Sequence, residues 1–84
     1  MGSLRLTANN EPERPVNLTL QCEREDDGRW LAEVAALPGV LAYGDSANEA
    51  MAKAEVLALR VLADRLEHGE SAPIAISISV PAAT

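Results

Sequence analysis

From Val16 the chain alternates strictly: Val16, Leu18, Leu20 and Cys22 are apolar, with Asn17, Thr19, Gln21 and Glu23 between and after them. Successive side chains of a strand point to opposite faces, so this run predicts a half-buried strand. Glu25-Asp26-Asp27-Gly28 then supplies turn formers, the glycine tolerating a positive φ. Alternation resumes with Trp30, Ala32 and Val34 inward and Leu31, Glu33 and Ala35 outward, which predicts a β-hairpin. Pro38-Gly39 breaks the second strand, because proline lacks a donor and glycine admits conformations other residues avoid. Val40 to Tyr43 predicts a short third strand before Gly44 turns the chain again.

The pattern then changes from period two to a helical one. Ser46 followed three residues later by Glu49 forms a capping box, so a helix is predicted from Ala47 to Glu67. At 100° per residue, Ala50, Ala54, Leu57, Ala58 and Val61 form one apolar stripe, expected to cover the sheet. A second stripe of Ala52, Val56, Leu59, Ala63 and Leu66 is spaced four, three, four and three on another side. Glu49, Lys53, Arg60, Asp64 and Glu67 hold most of the helix charge in a narrow band. One sheet cannot bury two separate stripes, so the second is expected to face another molecule or the end of the same chain; the alternative is a set of alanines and a few aliphatics left exposed on a helix of good intrinsic propensity. His68-Gly69 ends the helix, glycine as a left-handed cap and histidine near the negative end of the dipole.

After Pro73, Ile74, Ile76, Ile78 and Val80 alternate with Ala75, Ser77 and Ser79 until Pro81, predicting a fourth strand. A right-handed crossover through the helix lays this strand beside the first and parallel to it. The expected architecture is α+β: a three-stranded antiparallel meander, one long helix, and strand order 3-2-1-4. The helix would cover one face, and Thr, Gln, Glu and Ser residues would line the other. Strand four would be an edge, open to pairing with another chain.

Composition narrows the function. Eighty-four residues make one domain, of which a single core is expected to stabilise only about 3–5 kcal/mol. The lone Cys22 leaves no internal disulfide and no Cys/His cluster offers a structural metal. Oligomerisation or a partner is therefore the expected source of further stability. Thirteen acidic against seven basic residues give a net charge of −6 and a pI near 4.5. That balance disfavours a phosphate backbone and suits a basic protein partner. Residues 1–15, polar and with two prolines at 12 and 15, are expected to be a flexible tail preceding one domain over 16–84. Neither a signal peptide nor a membrane span is recognisable, so a cytoplasmic protein is expected.

Candidate chemistry is sparse. Asp26 and Asp27 are expected to be solvated turn formers rather than metal ligands, and Trp30 a packing residue. The glycines around 39 and 44 follow no phosphate-binding pattern. His68 has no neighbouring nucleophile or carboxylate pair suited to catalysis. A two-metal nuclease would need converging carboxylates, and only Glu23, Glu25 and Glu33 are offered by the strands. No catalytic residue, cofactor or metal is expected.

Asp27-Gly28, Trp30-Leu31-Ala32, Leu37-Pro38-Gly39, Gly44-Asp45-Ser46, Glu49-Ala50 and the later Gly69 and Pro73, taken in this order, resemble the HicB-like antitoxins of type II toxin–antitoxin pairs. The match spans about residues 16 to 80. It departs from the family where Ala35-Ala36 replaces a frequent Pro-Asp and where Val40 replaces a frequent Cys. The resemblance implies a partial ribonuclease-H-like fold without nuclease activity, which binds and blocks a small basic HicA-type toxin that cleaves mRNA. Many such proteins continue into a DNA-binding domain. Here none is expected, nor is DNA binding by this chain alone. The alternative is a solitary HicB-like module, homo-oligomeric and without a toxin. In either case a dimer or tetramer is expected, with Val56, Leu59, Ala63, Leu66, Ile76 and Ile78 as the candidate protein interface.

Overall fold

The computed structural model describes residues 16–69, 73 and 75–82; the predicted tail over 1–15 and Ile74 of the predicted fourth strand lie outside them. Strands β1 (Val16–Arg24), β2 (Trp30–Val34) and β3 (Leu41–Gly44) are followed by helix α1 (Ala47–Glu67) and strand β4 (Ile76–Ser79). The sheet has the order β3-β2-β1-β4. β1 and β2 are antiparallel, with Cys22 opposite Ala32, and β2 and β3 are antiparallel, with Ala32 opposite Ala42. β4 runs parallel to β1, with Leu18 level with Ile78. This is the α+β architecture that the alternation, the turn signals and the crossover rule predict.

Local chemistry accounts for the joins. In the hairpin, Gly28 takes φ +90°, and the Arg29 N–H donates to Asp27 Oδ1 at 3.0 Å while its Nε meets Oδ2 at 2.8 Å. Asp27 is thus fixed by its own turn, as the solvated-turn reading expects. The Glu49 N–H donates to Ser46 Oγ at 3.1 Å. The Glu49 carboxylate reaches one residue further back than a standard capping box, accepting from the Asp45 N–H at 3.2 Å. At the other end Gly69 adopts φ +69° and donates to the Leu66 carbonyl. His68 Nδ1 lies 2.8 Å from the Asp64 carbonyl oxygen, where it serves the helix end.

The core is one layer between sheet and helix. Leu18, Leu20, Ala32, Val34, Leu37 and Val40 meet Ala50, Met51, Ala54, Ala58 and Leu62, with Cys22, Trp30 and Ile78 packed at its margin. Two expectations need correction. The buried helix row is 50-54-58-62 rather than one running through Leu57, which is 37% exposed. Small residues at every fourth position form a ridge inclined to the helix axis, and the helix packs the sheet along that ridge. This swings Leu62 and Met51 inward and Leu57 outward. The third strand is Leu41–Gly44 rather than 40–43. Val40 is instead buried in the preceding turn, where its carbonyl accepts from the Val34 N–H.

Candidate functional site

Among the described residues the exposed large side chains that are apolar lie on β3, on α1 and along β4 and the residue after it. Helix α1 lies over β3, β2 and β1 and does not reach β4. The side of β4 that faces the helix layer is consequently bare: Ile76 is 40% and Val80 52% exposed, and only Ile78 reaches the core. On α1, Val56, Leu59 and Leu66 are 46%, 44% and 40% exposed, and Ala52 and Ala63 of the same stripe are also exposed. The second stripe is therefore uncovered along its whole length. Of the six candidate interface residues, Val56, Leu59, Ala63, Leu66 and Ile76 are open to solvent, whereas Ile78 is half-buried. The opposite flank of α1, through Leu57 and Val61, borders an open groove beside Gly39 and Val40, with Arg60, Asp64 and Arg65 around it.

The second candidate surface is the outer face of the sheet. The register places Glu23 opposite Leu31 and Glu33 opposite Leu41, with Leu31 also opposite Tyr43. Leu41 and Tyr43 are 43% and 40% exposed. The expectation that Thr, Gln, Glu and Ser line the outer face holds for β1 and β4, whereas β2 and β3 place Leu31, Leu41 and Tyr43 as an apolar centre beside the acids. The guanidinium of Arg29 stacks 4.4 Å from the centre of the Tyr43 ring, a cation–π contact that steadies the ring. Its charge is partly offset by Asp27. The alternation of β2 announced Leu31; Leu41 and Tyr43 could have been found by extending the same period into β3.

Three ionisable groups depart from their ordinary values, each through its own local contacts. Cys22 faces the helix side, with Sγ 3.9 Å from the Ala47 carbonyl; burial, and secondarily the Glu23 charge, raise its pKa. The hydrogen bonds from Arg29 hold Asp27 below its ordinary value. The Asp45 N–H, and then Lys53 at 3.2 Å, do the same for Glu49. Glu23 and Glu33 lie exposed on the outer face and Glu25 is half-buried at the turn. Among the described residues no three His, Cys, Asp or Glu side chains converge as a metal set. Among them also no helix is long and apolar enough to cross a membrane.

Comparison of the chain with protein-family models, curated proteins and solved structures finds no match in any of the three.

Proposed function

We propose that this chain is a HicB-like antitoxin, a non-catalytic domain that binds a small basic HicA-type mRNA interferase and blocks it. The observation that carries this reading is the outer sheet face, where Glu23 and Glu33 flank Leu31, Leu41 and Tyr43 on a chain of net charge −6. An apolar centre supplies desolvation energy, and an acidic margin steers a cationic partner and fixes its orientation. The strand order 3-2-1-4 beneath one helix supports the reading, being the topology such a domain requires. The second reading, a homo-oligomeric module without a toxin, is favoured by the uncovered stripe of α1.

The test is co-expression with the product of the adjacent reading frame, if that frame encodes a small basic protein. The antitoxin reading expects a stable complex, suppression of the partner's RNA cleavage, and at least a tenfold loss of affinity in a Glu23→Lys/Glu33→Lys variant. A basic neighbour that cleaves RNA but neither binds nor is inhibited sinks the reading.

A further inference from the structure

We infer that a second copy of this chain docks on α1, the two helices running antiparallel about a two-fold axis through Leu59. This inference is independent of the antitoxin reading. It begins with spacing. The row that meets the sheet, 50-54-58-62, repeats every four residues, whereas Ala52, Val56, Leu59, Ala63 and Leu66 are spaced four, three, four and three. The latter is the seam a helix presents to another helix. A second copy of this chain brings the same seam on the same helix, α1 being the one helix among the described residues.

Volume selects which molecule and which direction. Rotation about Leu59 sets Ala52 against Leu66 of the second copy, Val56 against its Ala63, and Leu59 against itself. Small meets large in each outer layer, which is how facing positions fill space without voids. A parallel pair would instead oppose Leu66 to Leu66 and Ala52 to Ala52, crowding one end and leaving the other hollow.

Charge agrees. Two molecules of net charge −6 repel wherever their acids face, and the five seam positions carry no charge; Glu55 lies at one margin and Glu49, Lys53, Arg60 and Glu67 at the other. The bare helix-side face of β4, with Ile76 and Val80, offers further uncharged area on the same side of the sheet. The groove on the opposite flank is interrupted by Arg60, Asp64 and Arg65 and suits a second copy less well. Five short side chains per copy fall below the roughly 1,000 Å² that a lasting interface buries. The pair is thus a rapidly exchanging one, monomeric near ~1 μM and dimeric by ~500 μM.

Sedimentation of the full chain across that range tests the inference. Leu59→Glu brings two carboxylates together at the axis and should abolish the dimer while leaving the helical circular dichroism unchanged, since Leu59 is already 44% exposed. Leu57→Glu, on the other flank, should leave association intact. In a Cys22→Ala background, Leu59→Cys should form an interchain disulfide on oxidation. Ala52→Cys should not, because the antiparallel arrangement separates those two residues by about 21 Å. A chain that stays monomeric at ~500 μM, a dimer that survives Leu59→Glu, or ready cross-linking through residue 52 would each overturn the arrangement.

Discussion

A Cβ added to Gly44 would lie 2.6 Å from the amide nitrogen of Ala50 and 3.1 Å from its Cα, so the last residue of β3 touches the backbone of the helix. Backbone cannot move aside as a flexible side chain can. Gly44→Ala is therefore expected to destabilise the fold by about 2–3 kcal/mol, through overpacking. Gly39→Ala meets nothing within 4 Å but must hold φ +88°, an effect of about 1–2 kcal/mol. Urea unfolding of the two variants checks both the sizes and their order.

Leu62 and Leu59 stand three positions apart on α1, with exposures of 2% and 44%. Leu62→Ala should lose about 3 kcal/mol, from lost transfer energy and the cavity left against the sheet. Leu59→Ala, measured at a concentration where the chain is monomeric, should change stability by no more than about 0.5 kcal/mol. Equal losses would show that the stripe through Leu59 is covered within the single chain.

Acid should loosen the helix start and the hairpin. Glu49 and Asp27 have folded-state pKa values below their ordinary 4.5 and 3.8. A depressed carboxyl contributes stability that is fully present above the unfolded value and disappears as pH falls through the folded one. The urea midpoint should thus decline as pH drops below 4.5, with Glu49→Gln showing a shallower decline than the parent chain. A midpoint flat down to pH 3 would contradict the two hydrogen-bonding patterns.

The Cys22 thiol should react slowly. Burial and the neighbouring Glu23 raise its pKa, leaving little of the nucleophilic thiolate at pH 8. A chromogenic disulfide reagent is expected to react at least ~10-fold faster with the urea-unfolded chain than with the native one. Glu23→Gln should accelerate the native reaction modestly, because it removes the smaller of the two causes.

What could be read in the sequence was what local chemistry determines. Period-two alternation in Val16–Arg24 and Ile76–Ser79, the Ser46–Glu49 cap and the Gly28 turn are each legible within a few residues. The crossover rule then sufficed to order the strands. The rotation of α1 was not legible, because a ridge through Ala50, Ala54 and Ala58 is chosen only when the sheet's inclination to the helix is known. The exposed stripe was visible as spacing, but that Ile76 and Val80 would lie beyond the helix needed the helix's lateral position. The outer-face patch lies across the Pro38-Gly39 break, so Leu31, Leu41 and Tyr43 become neighbours only once β2 and β3 are in register.

The parallel ladder of β4 has one further consequence. Among the described residues it is paired with β1 alone, and α1 lies over β1, β2 and β3 rather than over it, while its ladder partners Val16 and Ile76 are joined only through the whole intervening chain. Its amides should therefore exchange with solvent deuterium sooner than those shared by β1 and β2, by a partial unzipping that leaves the hairpin and helix in place. The vacated rim of β1 would then be a docking lane for any extended peptide, which gives the molecule a transient receptive state without global unfolding.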